Sequence, residues 1–275
     1  MKAKLTIGNK TFEVMLDNPL DISIPMLFNG AQPNTYDFPA ASAHSVEAGS
    51  FIGDTRRDGS CNVEAYHLIP HCNGTHTEGV GHIAVERIAV RDILQEALIP
   101  ATLVSITATS AEMTDEPTRP PQKPGDTVLT RASLEKACAN FDSDFAAALA
   151  VRTLPNRADK KSMRYADPPP PYFTTSAIEY INKLGVRHFL MDIPSVDRTM
   201  DEGLMTGHHL YWGVDEGGHD VDPQRHSLKT ITEMIFVPDE IADGRYCLNL
   251  QIPSFVSDAA PSRPLLFRIQ PTDKA

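Results

Sequence analysis

Alternating apolar and polar positions mark two short strands at the start of the chain. Residues 3–7 and 11–15 alternate with a period of two, and Gly8-Asn9 lies between them, so this pattern predicts a hairpin. After Asp21-Ile-Ser-Ile-Pro25 the chain becomes polar and carries prolines and glycines. Residues 62–69 then alternate loosely, which predicts a strand that runs directly into a histidine-rich segment.

Continuous apolar runs in the middle of the chain indicate buried strands. Three such runs are present, at residues 101–107, 145–153 and 186–193. Residues 133–140 predict a short helix. A second helix is expected to open at the capping box Ser176-Ala-Ile-Glu179 and to end at Gly185. Strand, helix and strand in this order are typical of an α/β unit with parallel pairing.

The remaining segments predict loops and turns rather than further helices. Residues 111–127 are rich in proline and charge and predict a surface loop, and the four prolines at 168–171 predict a stiff extended stretch. The last 45 residues alternate short strands with turns at Asp243-Gly244 and around Ser257-Asp258. No segment has the composition of a linker, so we expect one mixed α/β domain over residues 1–275.

Composition excludes several classes of protein. The formal net charge of −11 argues against nucleic acid as a partner, because phosphate binding needs a basic surface. No apolar run approaches the roughly 20 residues of a membrane span, and the N-terminus lacks an apolar secretion core, so we expect a cytoplasmic protein without a membrane partner. The four cysteines follow no framework spacing, which favours reduced thiols over disulfides.

The segment from His71 to His82 carries the chemistry. It holds three imidazoles, one thiol and one carboxylate within twelve residues, a donor set typical of transition-metal sites. His76 and Glu78 are two apart and would share one face of a strand, and the same parity adds Cys72. His71 would join them only if the backbone bulged at Asn73-Gly74. The alternative is a surface loop with scattered histidines.

A second group of candidate ligands lies far along the chain. His208 and His209 are adjacent, and Glu233 lies within the apolar run Ile231-Thr-Glu-Met-Ile-Phe236. A buried, unpaired carboxylate is costly, so Glu233 would need a cation, a metal or a proton. The alternative is an edge strand with Glu233 directed at water.

These motifs together resemble the bacterial kynurenine formamidase and putative cyclase family, which includes the isatin hydrolases. The family motif His-x-Gly-Thr-His-x-Asp-x-x-x-His aligns without a gap with Cys72-Asn-Gly-Thr-His76-Thr-Glu78-Gly-Val-Gly-His82. Further landmarks follow in the family's order over roughly residues 20–270, with residues 1–19 as an added N-terminal hairpin. They are Asp21 to Pro25, Gly185 to Asp197 with its Pro-Ser-Val-Asp end, the pair His208-His209, Ile231-Thr-Glu233, and Asp243 to Pro253.

The resemblance implies a metal-dependent amidohydrolase that opens aryl formamides or cyclic amides of aromatic compounds. It implies a swivelling β/β/α fold with a barrel-like mixed sheet and flanking helices, assembled as a homodimer or homotetramer. One or two divalent ions, zinc or manganese, would be bound. The implied metal ligands are Cys72, His76, Glu78, His208 and Glu233, with His71 and His209 in reserve, and His82 would be the catalytic proton carrier.

The chain departs from the family motif at two positions. Cys72 replaces the first histidine, which would favour zinc, and Glu78 replaces an aspartate that is one methylene shorter. These departures keep two alternatives open: a lactone or cyclic imide hydrolase of the same fold, and an inactive member that only binds a metal or ligand. Residues 167–173 are expected either to line the substrate pocket or to serve only as a linker.

Overall fold

The predicted N-terminal hairpin is confirmed in the computed structural model, which describes residues 1–272. Its strands pair antiparallel, with Leu5 opposite Phe12. The strands in chain order are β1 Lys2–Ile7, β2 Lys10–Met15, β3 Leu20–Asp21, β4 Ser42–Ser45, β5 Glu47–Ala48, β6 Phe51–Ile52, β7 Glu64–His67, β8 His76–Gly79, β9 Ile99–Thr107, β10 Thr109–Ser110, β11 Thr127–Leu129, β12 Ala148–Leu154, β13 Tyr172–Phe173, β14 His188–Met191, β15 Thr230–Glu233, β16 Gly244–Asn249, β17 Ala259–Pro261 and β18 Leu265–Pro271.

The helices are few and short. The α-helices are α1 Pro70–Asn73, α2 Val90–Ile93, α3 Arg131–Ala137, α4 Thr175–Lys183 and α5 Thr206–Trp212. Short 3-10 helices lie at Thr55–Arg57, Val80–His82, Ala111–Met113, Ser143–Phe145 and Ala158–Ser162. Within residues 1–272 no helix is both long and apolar enough to span a bilayer.

One large mixed sheet organises the molecule, which confirms the α/β class. Within the described chain, eleven strands join it, in the order β1-β2-β18-β16-β9-β12-β14-β15-β8-β17, with β3 paired to β18. Strands β9, β12, β14 and β15 run parallel to one another, as the strand-helix-strand pattern predicts. Strand β8 then pairs antiparallel with β15, which brings the histidine-rich segment beside Glu233.

Both faces of the parallel strands are buried, which explains their continuous apolar sequences. In β12, Leu149 and Val151 pack into a cluster with Phe189 and with helices α3 to α5. Their neighbours Ala148 and Ala150 face the opposite cluster, which contains Leu190 of β14. The helices therefore flank one face of the sheet, as expected.

Two local predictions need correction. The helix α4 is capped by Thr174, whose side chain accepts a hydrogen bond from the Ala177 N–H, and not by Ser176. The strand predicted over residues 62–69 ends at His67. Pro70 then begins a single helical turn, because proline suits the first position of a helix, where its missing N–H costs nothing. The four cysteines are free thiols, as predicted.

Candidate metal centre

The centre is built on two adjacent antiparallel strands. The register of β8 against β15 places His76 opposite Glu233 and Glu78 opposite Ile231. His76 and Glu78 lie on one face, as their spacing predicts, and one donor atom each from His76, Glu78 and Glu233 lie within 4.8 Å of one another. All three side chains are buried. The alternative of Glu233 at a solvent-facing edge is therefore wrong, since β15 lies inside the sheet between β14 and β8.

Helix α5 adds a fourth donor, His208. His208 Nε2 lies 3.0 Å from Glu78 Oε1 and 3.9 Å from Glu233 Oε1. Its Nδ1 lies 2.6 Å from Asp197 Oδ2, and the Asp197 carboxylate also accepts hydrogen bonds from the backbone N–H groups of Gly207 and His208. Asp197 thus anchors the first turn of the helix and fixes the His208 ring with Nε2 directed at the glutamates.

His76 is oriented by the backbone. Its Nδ1 lies 3.0 Å from the Gly74 carbonyl oxygen, an acceptor, so Nδ1 carries the proton and Nε2 faces Glu233 Oε2 at 3.3 Å. Burial lowers the pKa of His76 below its usual value, which favours the neutral ring. A neutral imidazole with one nitrogen held by a backbone carbonyl is the form that binds metals.

Several buried atoms at the centre lack a hydrogen-bond partner among residues 1–272. They are His71 Nε2, His76 Nε2, Glu78 Oε2 and Glu233 Oε1. Burial and the Glu78 carboxylate raise the pKa of Glu233 well above its usual value. The net effect on Glu78 is the opposite. Burial favours a higher pKa there too, but the nearby His82 and His208 outweigh burial, so the pKa of Glu78 lies below its usual value. Two buried carboxylates beside unpartnered imidazole nitrogens fit a divalent metal ion, which would neutralise the carboxylates and occupy the free donors.

The helical turn α1 places His71 beside Asp258 and Glu78. His71 Nε2 lies 3.1 Å from Asp258 Oδ2 and 3.4 Å from Glu78 Oε2. The extended geometry predicted for Cys72 is wrong, and within the described residues its sulfur belongs to none of the three donor groups that could hold a metal ion. Burial, with Glu233 nearby, raises the pKa of the Cys72 thiol to about 11, which favours the neutral thiol.

His82 lies at the rim of the centre. It ends the 3-10 turn after β8 and stacks on His71, with ring centroids 4.3 Å apart. Its Nε2 lies 3.8 Å from Glu78 Oε2 and its Nδ1 lies 3.4 Å from Asp258 Oδ2. The side chain is about a quarter exposed, so it is reachable from the cavity. His209, the neighbour of His208, faces away and packs near His219.

A cavity of about 280 Å³ opens onto these groups. Its walls beyond the donors already described are Tyr36, Phe38, Ile69, Pro194, Ser195 and Met205. Residues 167–173, expected either to line the substrate pocket or to serve as a linker, do not line this cavity, and prolines 168–171 line a different one. Asp258, Tyr36 and Phe38 were missed, since nothing in their local sequence marks them. Asp197 could have been found from the sequence, because it is the last residue of the Pro-Ser-Val-Asp landmark.

Known proteins share a sequence profile and a fold with this chain. The sequence profile described as Putative cyclase matches residues 16–198, and a comparison with curated proteins finds no match. Among solved structures, the chain is similar to a potential metal-dependent hydrolase with cyclase activity, at 16% identity and a TM-score of 0.55, covering 91% of this chain and 98% of that one.

Two further solved structures show the same similarity. A predicted metal-dependent hydrolase from Bacillus stearothermophilus is 17% identical, with a TM-score of 0.55 and coverage of 91% of this chain and 98% of that one. Isatin hydrolase A from Labrenzia aggregata, bound to benzyl benzoate, is 16% identical, with a TM-score of 0.55 and coverage of 91% and 93%. At these identities the structures establish the shared fold, and the profile match over residues 16–198 establishes that this chain belongs to the Putative cyclase family.

Proposed function

We propose that this chain is a metal-dependent hydrolase that cleaves the C–N bond of an aryl formamide or a cyclic amide. The observation that carries the proposal is the meeting of His76, Glu78, His208 and Glu233, four buried side chains from three separate elements, around unpartnered donor atoms. Buried ionisable groups in this number are costly to the fold unless they serve a ligand.

The residues that would hold a divalent ion are His76, Glu78, His208 and Glu233. His71 lies next to them, with its Nε2 3.4 Å from Glu78 Oε2. Such an ion supplies a Lewis acid that makes water nucleophilic near neutral pH and polarises a carbonyl group. The mixed nitrogen and oxygen donors suit zinc, and manganese is the second choice.

His82 is proposed to move the proton. It lies at the cavity rim beside Glu78, it is partly exposed, and Asp258 holds its Nδ1, which leaves Nε2 free to exchange a proton with the leaving nitrogen. The walls formed by Tyr36, Phe38 and Met205 suit a small aromatic substrate. Ring opening of a cyclic imide or a lactone would use the same groups, so cyclic imides and lactones are also tested as substrates.

Metal analysis of the purified protein, paired with activity before and after chelation, tests the proposal. We expect bound divalent metal whose removal abolishes hydrolysis of formamides and cyclic amides, and whose return restores it. His82→Ala should retain the metal while turnover falls by about 10²- to 10⁴-fold. The exposed His67 supplies a matched control, because His67→Ala should change neither quantity. Full activity in metal-free protein would contradict the proposal.

A further inference from the structure

A buried hydroxyl group joins three segments of the chain beside the metal centre. Thr75 directly precedes His76 and is only 4% exposed. Its Oγ1 accepts a hydrogen bond from the Ile24 N–H at 2.8 Å and donates one to the Met234 carbonyl oxygen at 2.6 Å. Ile24 belongs to the N-terminal landmark of the sequence, and Met234 directly follows Glu233. The hydroxyl therefore connects that landmark with both strands that carry candidate ligands.

The bond to Met234 continues the strand pairing at the point where the backbone ladder ends. In the antiparallel register of β8 and β15, the pair His76 and Glu233 is the last of the ladder. One further step in the same register sets Thr75 opposite Met234. The Met234 N–H donates elsewhere, to the Ile193 carbonyl oxygen at 3.1 Å. The Thr75 side chain thus links the two strands where their backbones no longer pair.

The backbone conformation of Met234 depends on such support. Its φ of +52° lies in the left-handed region, which residues with a side chain rarely adopt. A conformation of this kind is costly and persists where the surrounding contacts hold it. Here the N–H is bonded to Ile193, the carbonyl oxygen is bonded to Thr75, and the buried side chain packs with Ile24. Because Glu233 directly precedes this turn, the turn sets the direction of its side chain.

We infer that Thr75 is a positioning residue of the metal centre, whose hydroxyl fixes the turn at Met234 and thereby holds the Glu233 carboxylate against His76. The inference rests on the proposed function, because it gives Thr75 a role in a centre that binds a metal ion. The hydroxyl donates to Met234 and accepts from Ile24, so it acts through these backbone groups and is not itself offered as a ligand. The N-terminal landmark takes part in the centre through the same bond.

Two variants at Thr75 and one at Thr77 separate positioning from general stability. Thr75→Val removes the hydroxyl at nearly constant shape, and Thr75→Ser keeps the hydroxyl. Thr77 lies on the same strand, on the face opposite to His76, and its Oγ1 lies 2.8 Å from the Oγ1 of Thr232, which is also buried. Thr77→Val therefore removes a buried hydrogen bond between the same two strands and is the matched control.

The dissociation constant for zinc, measured on the full-length proteins by competition with a chromogenic chelator, is the main readout. We expect Thr75→Val to bind zinc about 10- to 100-fold more weakly, because residues that orient ligands contribute affinities of this order. The visible spectrum of its cobalt form should also change. Thr75→Ser and Thr77→Val should keep the zinc affinity and the cobalt spectrum of the wild type. In urea with chelator, the two valine variants should lose similar stability, since each removes a buried hydrogen bond.

Three results would overturn the inference: wild-type zinc affinity in Thr75→Val, an equal loss of affinity in Thr77→Val, or an equal loss in Thr75→Ser. If Thr75→Val does not fold, Thr75→Ala, which lacks the hydroxyl and the branched side chain, takes its place with the same expectation. A wild-type protein that binds no metal would contradict the proposed function, and the role of Thr75 with it. Metal binding by the wild type that is unaffected in Thr75→Val would contradict this inference alone.

Discussion

At the scale of single residues, the main question is whether His71 or Cys72 provides the first metal ligand of the family motif. Cys72 occupies that position in sequence, but the helical turn α1 directs His71 to Glu78 and Asp258 instead. We therefore expect His71→Ala to lower the metal content of the purified protein and Cys72→Ser to leave it unchanged. Cobalt-substituted protein should lack the near-ultraviolet absorption of a thiolate–cobalt bond. Cys138→Ser, at a buried cysteine elsewhere, is the control.

Loss of metal in Cys72→Ser, but not in His71→Ala, would support Cys72 as the ligand that the family motif implies. A thiolate–cobalt band that disappears in Cys72→Ser and persists in His71→Ala would identify sulfur as the ligand. The sequence predicted the shared face of His76 and Glu78 because both lie on one strand, where parity is reliable. The extended geometry predicted for Cys72 is wrong, because the four-residue turn that begins at Pro70 is too short to show a helical period in the sequence.

At the scale of elements, the site depends on how the start of helix α5 is anchored. Asp197 accepts hydrogen bonds from two backbone N–H groups of this helix and holds His208 Nδ1. Asp197→Asn should therefore weaken metal affinity by about 10- to 100-fold, because a ring that is no longer oriented binds less well. Competition with a chromogenic chelator measures this affinity.

A helix cap elsewhere separates this effect from a general loss of stability. Thr174→Ala removes the cap of α4 and should cost about 1 kcal/mol in the free energy of unfolding. Its metal affinity should remain that of the wild type. If both variants lose affinity equally, Asp197 contributes only through the stability of the fold.

The elements themselves were predictable to different degrees. The parallel strands β9, β12 and β14 were predicted because burial on both faces gives long apolar runs. Helix α5 was not predicted, since six of its seven residues are buried and no polar face marks its period. Asp258 was recognised only as part of a turn, because its contacts with His71 and His82 span more than 170 residues of sequence.

At the scale of the whole molecule, a buried histidine away from the centre links stability to pH. His188 of β14 is buried, and burial lowers its pKa below the usual value of about 6.5, against the opposing effect of the Glu96 carboxylate. A lowered folded-state pKa gives a stabilising contribution that is present above pH 6.5 and is lost as the pH falls. Urea unfolding at pH 7.5 and 5.5, in chelator, should show a smaller loss of stability in His188→Asn than in the wild type. An unchanged pH slope would exclude this role.

The buried carboxylate of Glu233 is expected to lower the stability of the metal-free fold. Burial and Glu78 raise the pKa of Glu233, so its charged form destabilises the folded state at neutral pH, where the unfolded state carries the charge freely. Glu233→Gln removes that charge at nearly constant volume. In chelator, the variant should therefore unfold at a higher temperature than the wild type.

In saturating metal the order should reverse. Binding to the folded state alone adds about 4 kcal/mol when free metal is 1,000 times its dissociation constant, and Glu233→Gln loses a ligand that this binding needs. Thermal unfolding of both proteins, with chelator and with zinc, measures the crossover. The exposed Glu179→Gln is the control and should follow the wild type in both conditions. A Glu233→Gln protein that is less stable than the wild type without metal would show that His76 and His208 already compensate the buried charge, and that the centre is a structural ion-pair network.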